Sequence, residues 1–282
     1  MQTPIVLTAF GTTTNAFKTY DFVDTIIREE FPGHEILWAF SSRMVLDRLR
    51  HGRKFEVRHP HEVLQALSDK GYSWAVIQSM HLLCGHEFYR LLEEVKPLAI
   101  RTSIGLPLLS SYEDYRQLAK SFDFKNNLSE GEAPVLVGHG TDHPSWAAYP
   151  TLESILREVH GSDLYVGVVE GYPSLKQVLE AVTAAKFRKV RLIPLMLVAG
   201  AHFYEDLCEG EDSWKTAFEG AGLEVNVEAQ GIGFRKEVIR VFIGHIRDAL
   251  DAIPASNSLA TRVLKNQQPE NLGSVRVSGE NG

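Results

Sequence analysis

The sequence predicts an α/β protein of two similar lobes, each a parallel four-stranded sheet flanked by helices, with a cleft between them. Three observations carry that expectation. Apolar, β-branched runs alternate with helix-length stretches, the second half of the chain repeats the order of the first, and the phrases LLCGHEFY from Leu82 and LVAGAHFY from Leu197 align without a gap.

Taken in order, Thr3 to Phe10 and Ala133 to His139 are paired first strands, apolar along their length as buried parallel strands are. A helix follows each, Ala16 to Phe31 before Pro32-Gly33 and Trp146 to His160 before Gly161. Second strands are expected at His34 to Phe40 and Asp163 to Val169. Third strands are expected at Ser73 to Ser79 and Val190 to Leu197, and fourth strands at Ile100 to Leu106 and Leu223 to Gln230. Helices at Tyr112 to Phe122 and Phe234 to Ile253 end the two halves. The polar, turn-rich segment Lys125 to Glu132 reads as the linker, so residues 1–127 form the N-terminal lobe and 128–253 the C-terminal lobe. From Pro254 to Gly282 the composition turns to Ser, Asn, Gln and Gly, which predicts a disordered tail.

A chain of 282 residues, 44% apolar and 23% charged, has the composition of an ordinary globular protein. Its net charge of −7 argues against a nucleic-acid partner. Its longest apolar run, Leu192 to Ala201, is about half of the ~20 residues a membrane helix needs and contains Pro194 and Gly200, so no membrane span is expected. The residues after Met1 lack the pattern of a signal peptide, and the two cysteines, Cys84 and Cys208, suit a reducing compartment; the expected location is the cytoplasm. Phosphate-binding loops of the Gly-x-x-x-x-Gly-Lys-Ser/Thr and Gly-x-Gly-x-x-Gly kinds are absent, so no nucleotide is expected.

Chemistry is expected beyond the carboxyl ends of the strands, where open parallel sheets bind their ligands. The repeat sets Phe10-Gly11-Thr12 opposite His139-Gly140-Thr141 and Glu87 opposite His202. Facing lobes would then bring His139, Glu170 and His202 on one wall toward Glu87 on the other. Two imidazoles and a carboxylate suit a divalent ion such as cobalt, nickel, iron or zinc. Taken alone, a strand-end histidine is more often a turn residue than a ligand, and it is the convergence of three ends that argues for a metal. The remaining histidines read as structural: His86 and His143 as helix caps, His81 as a buried strand residue and His245 as part of a helix interior. A basic cluster of Arg43, Arg48, Arg50, Arg53, Lys54 and Arg58, interleaved with His51, His59 and His61, reads mainly as a solvated helix face. Arg43, nearest the strand end, is its candidate for an anionic ligand.

Across Pro4 to Ile253 the sequence resembles the anaerobic cobalt chelatases that act on sirohydrochlorin, of the class of chelatases built from two α/β lobes. The likeness rests on Thr8-Ala9-Phe10-Gly11-Thr12, Ser42-Arg43-Met44, Gly85-His86-Glu87, Val137-Gly138-His139-Gly140-Thr141, Val169-Glu170-Gly171-Tyr172-Pro173 and the run from Pro194 to Phe203. It implies a metal held by His139, Glu170 and His202, with His139 as a proton acceptor and Glu87 facing the macrocycle; Phe10, Arg43 and Glu87 form the expected substrate-binding set. The implied activity is that of a lyase-class metal chelatase, inserting Co2+ as substrate metal into sirohydrochlorin in cobalamin synthesis without ATP. Iron or nickel loading of the same or a related tetrapyrrole, and a non-catalytic metal or tetrapyrrole carrier, are the alternatives. A small-molecule tetrapyrrole is the expected partner, and the residues leave a homo-oligomer open.

Overall fold

The computed structural model describes residues 2–12, 15–42, 45–46, 58–200 and 204–254. In the first half, β1 (Ile5–Ala9) leads to α1 (Lys18–Glu30), β2 (Ile36–Phe40), α2 (Pro60–Asp69), β3 (Trp74–Ser79), α3 (His86–Val95), β4 (Arg101–Gly105) and α4 (Tyr112–Lys120). The second half repeats the pattern with β5 (Glu132–Gly140), α5 (Ala148–His160), β6 (Tyr165–Glu170), α6 (Leu175–Ala184), β7 (Lys189–Pro194), α7 (Trp214–Gly220), β8 (Glu224–Val227) and α8 (Lys236–Asp251). Both sheets are parallel, ordered β2-β1-β3-β4 and β6-β5-β7-β8, so one strand permutation serves both halves. Every residue of β1 is buried, as is β5 from Glu132 to Gly138, because helices cover both faces.

Helix positions follow their apolar stripes. Tyr20, Val23 and Ile27 are the buried face of α1, and Tyr149, Leu152, Ile155 and Leu156 that of α5. The first turn of the expected Trp146–His160 helix is a 3-10 turn, Pro144–Ala147, with His143 at its cap. The third strand of the second half stops at Pro194 rather than Leu197. The chain still packs inward there, since Leu195 is fully buried and its amide donates to the Val137 carbonyl at 2.8 Å. The fourth strand shrinks to Glu224–Val227, and the last helix begins at Lys236 after a 3-10 turn at Ile232–Phe234.

Helices are exchanged between the halves. Although α8 follows the second sheet, it packs on β3 and β4 of the first, against α1 and α4. Ser103 Oγ donates to the Ala249 carbonyl at 2.6 Å, and His245 spans the junction with Nδ1 at 2.9 Å from the Leu106 carbonyl oxygen and Nε2 at 3.3 Å from Asp114 Oδ1. In return α4 lies against α5, where His160 Nε2 is 2.7 Å from the Ala119 carbonyl oxygen. One buried cluster therefore runs from Ile5 and Val76 through Phe242 and Leu118 to Leu152 and Leu136. Within the stretch 128–253 assigned to the second lobe, α8 completes the first. The tail from residue 255 onward lies outside the described residues.

The segment expected as a polar linker is structured at both ends. Phe124–Asn127 forms a helical turn, and Glu132 opens β5 with its side chain fully buried. Its carboxylate accepts from Arg191 Nε and Nη2 at 3.2 and 3.0 Å, Asn226 Nδ2 at 2.9 Å and the Ser129 amide at 2.8 Å. Burial alone pushes this carboxyl pKa up; the Ser129 amide, Asn226 and Arg191 outweigh it, and the net shift is downward. A lowered folded-state pKa means the contribution to stability is in place above the ordinary value of 4.5 and is lost as pH falls through the lowered one. Glu132→Ala, which leaves Arg191 without its carboxylate, is expected to cost about 2 to 4 kcal/mol in urea unfolding at pH 7. The gap between variant and native protein should narrow on acidification below the ordinary carboxylate range, and a cost that does not change with pH would contradict this account.

Candidate functional site

The second-lobe wall of the cleft is built on a close backbone approach. Gly140 pairs in register with Glu170 at the carboxyl ends of β5 and β6. A Cβ on Gly140 would sit 1.7 Å from the Glu170 carbonyl oxygen, and Gly140 has φ +93°, so only glycine fits. The consequence is that His139 and Glu170, both exposed, stand on adjacent strand ends. His139 Nδ1 lies 3.3 Å from the Gly140 carbonyl oxygen; with Nδ1 as donor there, Nε2 is the nitrogen that carries the lone pair. Behind them Tyr149 accepts from the Gly140 amide at 3.1 Å, its phenol pKa raised by burial, and fills the space that a Cβ on Gly138 would occupy.

The first-lobe wall mirrors this geometry with different chemistry. Gly11 has φ +102° at the position matching Gly140, and Phe10, matching His139, is 49% exposed. Glu87 lies in the first turn of α3, where Ser41 Oγ donates to its Oε2 at 3.2 Å and Arg90 pairs with its Oε1. Just past β3, His81 is held by Ser79, Oγ to Nδ1 2.9 Å, and its Nε2 is buried without a hydrogen-bond partner. Burial lowers the His81 pKa to about 4, with the Glu87 charge pulling upward and Arg90 opposing it, so the ring is neutral at pH 7.

The two walls meet directly. His86 Nε2 is 2.8 Å from Asp142 Oδ1, the Tyr89 and His143 rings are 5.4 Å apart, and a Cβ on Gly85 would lie 3.2 Å from Ser145 Oγ. The helix carrying Glu87 is thus docked on the loop that follows His139. On the other side, a Cβ on Gly200 would lie 3.4 Å from Thr12 Oγ1. His143 caps its 3-10 turn as expected, accepting from the Ser145 amide at 3.1 Å. His86 does not cap: Gly85 holds the N-cap of α3, and His86 instead pairs with Asp142, whose carboxyl it holds below the usual range.

His139, Glu170, Glu87 and Phe10 therefore all stand at carboxyl ends of strands or on the helix beyond one. His202 and Arg43 lie outside the described residues, as do Arg48, Arg50, His51, Arg53 and Lys54 of the basic cluster. Of that cluster, Arg58 lines a groove with Trp38, Phe40 and Lys70, while His59 is buried beside α2 with its Nδ1 2.8 Å from that of His61. Among the described residues no group of three His, Cys, Asp or Glu side chains is arranged to hold a metal; His139 and Glu170 are two of the three expected ligands. Sequence reasoning missed Tyr149, Ser41 and Arg90, which orient the site, Ser41 from a strand end 46 residues before Glu87 and Arg90 from the next turn of the same helix. Only the Gly-His-Gly context of Tyr149's partner hinted at a close approach.

Two parallel α/β lobes, with His139 and Glu170 on adjacent strand ends of one and Glu87 on the helix of the other that docks on the loop after His139, have the architecture of the two-lobed metal chelatases. The chain belongs to the cobalt chelatase (CbiK) family, whose model matches residues 3–251. It is 31% identical over 258 residues to the sirohydrochlorin cobaltochelatase of Salmonella typhimurium, with 89% of this chain and 97% of that protein aligned. It is 28% identical to the sirohydrochlorin cobaltochelatase CbiKC of Nitratidesulfovibrio vulgaris, covering 88% and 91% of the two chains. Among solved structures, the cobalt complex of the sirohydrochlorin chelatase SirB from Bacillus subtilis superposes with a TM-score of 0.61 at 16% identity over 89% of this chain and 96% of that one. SirB with Fe3+ gives 0.64 at 15% identity, over 92% and 98%. These structures share the fold.

If the strand ends meet only because residue 140 has no side chain, Gly140→Ala should destabilise by more than about 3 kcal/mol. Gly161 also has positive φ, +100°, but a Cβ there meets nothing within 4 Å. Gly161→Ala should therefore cost only the backbone strain, about 1 to 3 kcal/mol, and less than Gly140→Ala. Equal losses in thermal unfolding would remove the close approach as the reason for glycine at 140.

Proposed function

We propose that this chain is a sirohydrochlorin cobaltochelatase, inserting Co2+ into the metal-free tetrapyrrole in cobalamin biosynthesis without a nucleotide. The observation that carries the reading is the placement of His139 and Glu170 side by side, with Glu87 on the helix docked against the loop beyond His139. Free thiols at Cys84 and Cys208 accord with a reducing cytoplasm. Among the described residues no helix is long and apolar enough to cross a membrane.

Insertion requires that the ion lose water, that two pyrrole N–H protons leave, and that the ring nitrogens turn their lone pairs to the ion. His139 and Glu170, with His202 as third ligand, replace water around the incoming ion; imidazole and carboxylate suit a mid-row divalent metal. Three protein ligands leave a position open, as a site must that gives its ion away. Either Glu87 or His139 takes the departing protons, His139 only once its Nε2 has released the ion to the ring. Ser41 and Arg90 hold each oxygen of Glu87 in place, so its lone pairs are oriented before the ring arrives. Fe2+ and Ni2+ accept the same ligands, so the choice among the three metals is read from kinetics with each.

Incubation with Co2+ and sirohydrochlorin, followed by absorption, should show many turnovers per protein without ATP; binding limited to one equivalent would favour a carrier. Glu87→Gln should lower kcat by about 10²-fold, a typical contribution of a positioned base, while leaving Co2+ affinity intact. His139→Ala should weaken Co2+ binding in calorimetry as well as abolish turnover. Equal loss of metal binding in both variants would contradict the separation of roles.

A further inference from the structure

Two large aromatic side chains are left facing water on the two loops that carry the candidate ligands. Tyr172 follows Glu170 beyond β6 and is 47% exposed; Trp146 follows His139 beyond β5 and is 41% exposed. Single exposed aromatics are ordinary, but these two touch each other, with ring centroids 5.5 Å apart and planes at 85°. Leaving such a pair unburied forgoes stabilisation that these side chains usually supply to a core.

Their turns are rigid. The Trp146 amide donates to the His143 carbonyl at 2.9 Å within the turn that His143 caps and Pro144 begins. Beyond Tyr172 the chain folds back so that the Pro173 carbonyl accepts from the Val168 amide at 2.9 Å. A Cβ on Gly171 would lie 3.4 Å from the Thr141 carbonyl oxygen, so the two loops are in contact. The pair is thus fixed to the same strand ends as His139 and Glu170.

We propose that Trp146 and Tyr172 are substrate-positioning residues, an aromatic wall against which the tetrapyrrole seats its flat π-system so that its nitrogens come over the ion held at His139 and Glu170. The perpendicular arrangement offers one ring face for offset stacking and one ring edge for a T-shaped contact. This inference rests on the tetrapyrrole reading above, since a site that took only a free ion would have no use for the wall. A flat, multiply carboxylated ring can gain apolar contact only through its face, and these two residues supply that contact beside the metal.

Steady-state kinetics with Co2+ and sirohydrochlorin test it. Trp146→Ala should raise KM for the tetrapyrrole about ten-fold, the double variant Trp146→Ala/Tyr172→Ala further, with KM for Co2+ and the melting temperature nearly unchanged. Trp146→Phe should recover most of the loss. An unchanged tetrapyrrole KM in a folded double variant, or an equal rise in both KM values, would overturn the inference. A measurement on the native fold guards against unfolding: in protein labelled with 5-fluorotryptophan, the 19F line of Trp146, identified by its absence in Trp146→Phe, should shift under the ring current of added metal-free sirohydrochlorin more than the lines of Trp38, Trp74 and Trp214. A stationary Trp146 line in a protein that still turns over would sink the aromatic wall alone. Failure of the unaltered protein to turn over sirohydrochlorin with any of the three metals would instead sink the chelatase reading, and the wall with it.

Discussion

The whole site depends on how closely two parallel strands can end. At Gly140 the backbone of β5 comes so near the Glu170 carbonyl that no side chain fits between them. That contact sets two potential ligands on neighbouring strands at the carboxyl end of the sheet. It also sets the two loops beyond them in contact, Gly171 against Thr141. A parallel sheet supplies the placement at little cost, because its ladder already aligns the strand ends and the first residues past them are free of ladder hydrogen bonds. Gly11 in the first lobe shares the positive φ, with Phe10 where the second lobe has His139, although a Cβ there would meet the Val45 and Phe40 side chains instead of a neighbouring backbone. One scaffold, used twice, thus carries an imidazole on one side and an aromatic ring on the other. The pseudosymmetry belongs to the fold, and the asymmetry belongs to the chemistry.

What keeps the two walls at a fixed distance is the exchange of helices. The C-terminal helix α8 is buried on several sides, with Val238, Ile239, Val241, Phe242, Ile243, Ile246 and Ala249 all covered, because it lies between the first sheet, α1 and α4. Since the chain must leave the second sheet to make this contact, and α4 makes the reciprocal one with α5, the lobes share one core instead of hinging on a linker. His245 joins three elements in this region through its two ring nitrogens. A shared core has low compliance, so the separation between Glu87 and the strand ends opposite is set mainly by packing. In the proposed reaction, where a flat ring lies between an ion and a base, that is a useful property.

Much of this was legible in the sequence, for identifiable reasons. Strands buried on both faces read as continuous apolar runs, and β1, β5 and β7 were visible as such. Helix stripes such as Tyr20-Val23-Ile27 have the 3.6 period, and the repeated phrases around Glu87 and His202 fixed the lobe symmetry. The helix exchange was not legible, because an amphipathic stripe states that a helix is covered and not by which sheet. The overshoot of β7 from Pro194 to Leu197 has the same origin: Leu195 is apolar because it is buried, although the ladder has ended. Glu132 looked like linker polarity, since its partners Arg191 and Asn226 come from β7 and β8, far along the chain. His86 was read as a cap because it opens a helix, yet Gly85 occupies that position, and the imidazole is free to reach Asp142 in the other lobe.

The electrostatics of the first-lobe wall suit the approach of an anionic ring. The proposed substrate is an anionic ring, and a bare carboxylate opposite it would repel it. Arg90 cancels the charge of Glu87, and burial keeps His81 beneath it neutral, so the wall presents lone pairs with little net charge. A carboxylate tied to Ser41 and Arg90 is fixed in direction before the ring arrives, by side chains presented just after β2 and from α3 itself.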